Sequence, residues 1–251
     1  MTLKEPDKEP DKEPVDNSID EPTIAKPVLD IANVALRQPG SKVGRLRRFS
    51  MSLQPGAVAM IHRPSREIKT LLADAVLGTI KPRHGAVKFM DNDWCCVSYQ
   101  KQLAMRSQIG RVFCSGGWIS NLSLADNVKL LLRHHTVDSE RSIEQKLSQW
   151  TKRFGIKIPS ARPAFVQPDV LRVCQWIRAF LSQPKLLMLE CPFKDVSLGF
   201  QAAFIEAEHQ HRLDGGATVW VTDNPFVWQR DLKGDATRYK IEGDRIKKAA
   251  A

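Results

Sequence analysis

Residues 57–82, AVAMIHRPSREIKTLLADAVLGTIKP, constrain the fold more than any other stretch of the chain. Residues 57–61 are an unbroken apolar run and predict a buried strand. Residues 70–77 predict a helix with Leu71, Leu72, Ala75, Val76 and Leu77 on its apolar side. A charged loop joins the two and ends in Lys69 and Thr70, with Gly78 nine residues beyond the lysine.

Strand, loop, Lys-Thr and helix is the layout of a phosphate-binding loop. The glycines that such a loop uses are missing. The pattern G-x-x-x-x-G-K-S/T needs glycine at positions 63 and 68, and usually at 66, where this chain has Arg63, Ile68 and Arg66. Glycine lets the loop take positive φ and bring its amides close to the anion. A β-branched residue there is strained, so Ile68 is expected to push the loop out of that conformation. Arg63 and Arg66 offer positive charge in place of the lost amides.

Composition narrows the classes further. At 251 residues and 42% apolar content, one α/β domain of ordinary size is expected, with a tail. No apolar run reaches the length of a membrane span, and the charged, proline-rich N-terminus does not read as a signal peptide. Cys95, Cys96, Cys114, Cys174 and Cys191 are odd in number and lack C-x-x-C spacing, so reduced thiols are expected. The net charge is +10, yet residues 1–23 hold three lysines against eight acids, which leaves +15 on the remainder. A basic body implies an anionic neighbour, and an anionic membrane surface is the milder inference. Neither an aromatic-glycine RNA motif nor a basic helix selects nucleic acid, so none is expected.

Residues 1–27 contain KEPDKEPDKEP and are expected to form a disordered, charged, proline-rich tail. Residues 28–36 and 48–53 predict an outer antiparallel hairpin, joined across residues 38–44. KPRHGAVKF reads as a loop, and residues 108–114, QIGRVFC, as a strand. Ser139 can cap a helix over residues 140–154, whose stripe is Ile143, Leu147, Trp150 and Phe154, with Gly155 as its stop. Asp169 can cap the next helix, which buries Val170, Val173, Cys174, Ile177 and Leu181 and ends at Pro184. Residues 185–189 and 217–222 read as buried strands. This alternation indicates a sheet with parallel strands.

The run VLDIANVALRQPGSKVGRLRRFSMSLQPGAVAMI, and SGGWISNLSLADNVKLLLRHH after the 108–114 strand, resemble an ABC transporter nucleotide-binding domain. The second run is similar to the family's Q-loop and coupling region, in the form found in the ATPase of Mce/Mla-type phospholipid-transport complexes. The resemblance implies a P-loop NTPase-like α/β fold, a mixed sheet with outer antiparallel strands plus a helical subdomain. It covers residues 28–245, with the helical subdomain at about 115–183 and a flexible C-terminus at 246–251.

The resemblance also says which residues should handle nucleotide. Only Lys69 and Thr70 match among them. The signature loop falls on Val166, Gln167, Pro168 and Asp169, where Pro168 lacks a donor and Asp169 puts a carboxylate where phosphate should lie. The magnesium-holding aspartate aligns with Glu190, and the catalytic carboxylate aligns with Cys191, which cannot act as a base for water. The Q-loop glutamine aligns with Cys114, the D-loop aspartate falls near Ser197, and the switch histidine aligns with Asp223. Asp223 accepts and does not donate, so it would repel a γ-phosphate.

These replacements imply a catalytically inactive ABC-type homologue, a regulatory or scaffolding subunit of a membrane complex that moves phospholipid. No cofactor or metal is expected. The alternative is an atypical but working ATPase that uses ATP and magnesium through Lys69, Thr70 and Glu190, with Arg63 or Arg66 compensating. Expected partners are an ABC permease and a second nucleotide-binding domain, this chain or another. Residence on the cytoplasmic face of the inner membrane follows from the resemblance. Trp118, Ile119 and Leu122 are the candidate partner-binding residues, with Trp118 as anchor and Leu122 and Leu124 read as packing.

Overall fold

Two sheets share the work of building the core. The computed structural model describes residues 26–37, 45–63 and 71–249. The Lys69–Thr70 loop with Arg66 and Ile68, the N-terminal tail and the hairpin tip at 38–44 therefore lie outside the described residues.

The outer sheet is antiparallel. Strand β1 (Leu29–Arg37) pairs with β2 (Arg45–Leu53) on one side and β4 (His84–Phe89) on the other, and the short β5 (Asn92–Asp93) follows β4. The hairpin is longer at its tip than its apolar pattern suggests, because Arg45 and Leu46 still pair with Arg37 and Leu36. KPRHGAVKF is a strand from His84 onward and not a loop. Val87 and Phe89 alternate inward there, and Gly85, at φ +75°, lets the paired strand β1 approach closely. A Cβ on Gly85 would come within 2.1 Å of the Ala32 carbonyl oxygen.

The inner sheet has the order β10-β9-β3-β8-β7-β6. Strands β3 (Val58–His62), β6 (Ile109–Val112), β7 (Leu186–Glu190), β8 (Ala217–Thr222) and β9 (Ala236–Glu242) are parallel, and β10 (Arg245–Lys248) turns back on β9. Helices cover both faces of such a sheet, so β7 and β8 are buried at every position.

Helix α1 (Leu71–Val76) lies in the core that includes both sheets, and five of its six residues are buried. The helical side carries α3 (Leu124–His135), α4 (Glu140–Phe154) and α5 (Pro168–Leu181). Ser139 caps α4 by accepting from Ser142 N, and Gly155 ends it at φ +65°. Helix α5 departs from expectation at its start: Gln167 is the N-cap and Pro168 the first helical residue. Proline fits there because the first-turn amide has no partner within the helix. Asp169 instead accepts from the next amide, Val170 N, at 2.7 Å.

Helix α5 packs close to β6 because residue 110 is glycine; a Cβ there would meet the Ala179 carbonyl oxygen at 2.3 Å. Beneath α5, Trp176, Phe180, Phe193, Phe204 and Trp220 interlock, with Trp176 and Phe204 centroids 4.6 Å apart. Helix α6 (Leu198–Leu213) closes this core, while α2 (Tyr99–Arg106) and α7 (Pro225–Gln229) are peripheral. Neither α2 nor α6 is anticipated by the sequence reading, since their apolar patterns are weak.

Candidate functional site

The carboxyl ends of parallel strands are where open α/β sheets bind ligands. Four of them meet here. Arg63 follows β3 and donates its amide to Thr222 O at 2.8 Å, which sets it beside Asp223 at the end of β8. Cys191 follows β7 and donates its amide to Val221 O at 2.7 Å. Cys114 lies two residues beyond Val112 on β6, and Cys191 two residues beyond Leu189 on β7, its partner in register. The structure thus brings together Cys114, Cys191 and Asp223, three positions aligned in sequence with separate motifs.

Their chemistry is that of a thiol pair beside a carboxylate. Cys191 Sγ lies 3.8 Å from Asp223 Oδ1. Cys191 and Cys114 also share a side-chain hydrogen bond, which holds Cys114 down at about 6, with help from Lys194 and Arg63. Cys191 is pushed up, first by that same bond and then by burial. The shared proton therefore stays on Cys191. Cys191 also takes φ +45°, a strained conformation for a residue with a side chain.

Glu190, one residue earlier, is satisfied internally. The Arg111 guanidinium on β6 reaches it through Nη2 and Nε, both 2.7 Å from Oε1. Arg111 Nη1 reaches Asp74 Oδ1 on α1 at 3.2 Å, and the guanidinium lies 4.4 Å from the Phe113 ring centroid. Asp74 and Arg111 are missed by the sequence reading. The signal for Arg111 is a charged residue inside the apolar strand IGRV.

A second unforeseen group holds the site together. Buried Arg172 on α5 donates to Phe113 O at 2.6 Å, Cys114 O at 3.0 Å and Lys194 O at 2.9 Å. Gln175, one turn on, accepts from Phe113 N and donates to Gly116 O. Arg178, another turn on, donates to Gly117 O and stacks 4.4 Å from the Trp118 centroid; burial lowers its guanidinium to about 10.

The candidate partner surface is the loop after β6. Trp118 is half-buried under Arg178, Ile119 is exposed, and Leu122 is partly covered. Leu124 is fully buried, as expected of packing. Buried Asn127 fixes the loop by accepting from Ile119 N at 2.8 Å and donating to Ile119 O and Ser123 O, each at 3.0 Å. A groove of about 350 Å³ runs beside it, between Phe113, Ile119, Leu131 and Arg178.

The other aligned positions lie apart from the thiol pair. Exposed Ser197 is the N-cap of α6 and makes no side-chain cap bond. Val166, Gln167, Pro168 and Asp169 form the entrance to α5. Among the described residues there is no group of three or more His, Cys, Asp or Glu side chains able to hold a metal. Glu190, the position aligned with the magnesium-holding aspartate, already has the Arg111 guanidinium on it, and the residue after it is a thiol.

No family model matches the chain. It is 28% identical over 146 residues to the intermembrane phospholipid transport system ATP-binding protein MlaF of Haemophilus influenzae, over 58% of this chain and 55% of that protein. MlaF of Escherichia coli K12 is 25% identical over 146 residues, covering 58% and 54%. The chain spans about half the length of these curated relatives. Among solved structures, an ATP-binding subunit of an ABC transporter superposes with a TM-score of 0.75 at 16% identity, covering 88% of this chain and 89% of that one. The dimeric post-hydrolysis state of the ATP-binding cassette MJ0796 with ADP and Pi gives 0.75 and 16%, covering 89% and 99%. In fold the chain matches ABC ATP-binding cassettes, and in sequence it resembles the ATP-binding subunit of Mla-type phospholipid transport systems.

Proposed function

We propose that this chain is a non-hydrolysing ABC homologue, a regulatory or scaffolding subunit of a membrane complex that transports phospholipid. The observation that carries the reading is Arg111 on Glu190. In the resemblance, Glu190 stands where magnesium is held; here its charge is already matched by the partly buried Arg111 guanidinium. Cys191 and Asp223 add to this, one unable to orient water as a base and the other repelling phosphate.

The lipid-transport context is supported by the likeness to MlaF. A permease is the proposed partner, seated on Trp118 and Ile119, and the loop there is held by Asn127 in a form ready for docking. The chain is proposed to dimerise with itself or with another nucleotide-binding domain. It would lie peripherally on the cytoplasmic face of the inner membrane, where its basic body faces anionic lipid. Among the described residues no helix is long and apolar enough to cross a membrane.

The test is equilibrium binding of Mg-ATP to the full chain, followed by ATPase assays of the permease complex with and without it. No binding at millimolar nucleotide, and no hydrolysis that depends on this chain, is expected. Saturable Mg-ATP binding lost in Lys69→Ala, with hydrolysis requiring this subunit, would overturn the reading in favour of an atypical working ATPase.

A further inference from the structure

Cys114 and Cys191 invite a chemistry that nucleotide handling does not use. Val112 and Leu189 are partners in the β6–β7 ladder, and each cysteine lies two residues beyond its strand's member of that pair. Both cysteines therefore leave adjacent strand ends, and neighbouring strands run roughly 4.8 Å apart. That spacing falls within the Cα separation of about 4.4–6.8 Å that a disulfide requires. The two side chains meet there, sharing a hydrogen bond.

The pair is asymmetric in access. Cys191 is buried, whereas Cys114 is only partly covered and lines an open cavity of about 340 Å³ with Ser115, Trp118, Ala164 and Asp195. Lys194, Arg63 and Arg172 supply positive charge around Cys114, and Asp223 faces the Cys191 side. Arg172 fixes the Cys114 carbonyl, so the sulfur is presented from a rigid backbone.

We propose that Cys114 and Cys191 are a peroxide-responsive dithiol, in which Cys114 is the attacking thiolate and Cys191 the resolving thiol. The oxidant is a hydroperoxide. Cys114 sulfur attacks the distal oxygen; an S–O bond forms, the O–O bond breaks, and the departing alkoxide or hydroxide takes a proton. Sulfur gives up two electrons and the peroxide is reduced. The Cys191 sulfur then attacks the Cys114 sulfenic acid; the S–S bond forms, the S–O bond breaks, and hydroxide leaves as water with the Cys191 proton. The product is a disulfide that staples β6 to β7 across the floor of the strand-end site. The inference stands whether or not nucleotide binds there.

The experiment uses the reduced full chain and hydrogen peroxide. After a short exposure the remaining thiols are blocked with N-ethylmaleimide, and the non-reduced digest is mapped by mass spectrometry. A linked Cys114–Cys191 peptide pair, lost on treatment with dithiothreitol, is expected, while exposed Cys95 and Cys96 stay alkylated. In Cys191→Ser, the link should vanish and Cys114 should carry a dimedone adduct; in Cys114→Ser, Cys191 should stay a thiol. Recovery of Cys114 and Cys191 as alkylated thiols while Cys95 or Cys96 oxidises would overturn the proposal, as would Cys114 linked to any other cysteine. The wild-type map alone decides this, even if a variant folds poorly.

Discussion

Arg111 and Glu190 are joined at 2.7 Å between adjacent parallel strands, with Glu190 only 4% exposed. A buried ion pair contributes little net stability against an apolar pair of the same shape, because both charges are desolvated. Removing one partner is different, since it leaves the other buried and uncompensated.

Arg111→Met is therefore expected to cost about 3–5 kcal/mol of stability in urea melts. Arg111→Met combined with Glu190→Leu should recover most of that loss. A single Arg111→Met variant as stable as the wild type would mean that the pair is not buried as described.

The two thiols predict a pH profile. Cys114 is held at about 6, chiefly by the hydrogen bond from Cys191, so its thiolate fraction rises as pH increases through that value. Peptide-resolved alkylation of Cys114 should climb between pH 5 and 7, a range about one unit either side of the midpoint, and then level off. Cys191→Ala removes the donor and should shift the midpoint upward toward the ordinary thiol range. Cys174, pushed up to about 12 by burial, should remain unreacted in the folded protein.

Asn127 should prove a positioning residue for the docking loop. Asn127→Leu leaves the Ile119 amide without its acceptor and is expected to cost about 1–3 kcal/mol. Hydrogen exchange at Ile119 should accelerate well before global unfolding. If the loop docks a permease, pull-down by that partner should weaken as well.

Gly85→Ala tests the close pairing of β1 with β4. The added methyl meets the Ala32 carbonyl oxygen at 2.1 Å on a backbone already at φ +75°. A loss of more than about 1 kcal/mol is expected, read as a lower melting temperature.

Much of this architecture can be read from local pattern. Apolar runs at residues 57–61 and 186–189 give the buried strands, and Ser139 with Gly155 brackets α4. The family resemblance singles out Cys114, Cys191 and Asp223, and the structure brings them together although they are far apart in the chain. What stayed hidden is what depends on register between strands. Arg111 reads as an oddity in IGRV until β6 is paired with β7, when it falls beside Met188 and within reach of Glu190. Asn127 and Arg172 are likewise ordinary helix residues by periodicity; the role of Asn127 lies in carbonyls of the loop before its helix, and that of Arg172 in carbonyls contributed by distant loops. The KPRHGAVKF strand is obscured by Pro82 and Gly85, which read as turn signals, although Gly85 permits the close approach of β1.

Arg172 grips Phe113 O, Cys114 O and Lys194 O from one guanidinium. Its donors are fixed in a plane, so rotating α5 by even a few degrees would have to drag the loops after β6 and β7 along or strip bare the oxygens they present. Helix and pocket floor consequently move as one block. A push delivered at the outer helices would arrive at the two sulfurs without slack, and tightening the sulfurs would be felt just as directly outside.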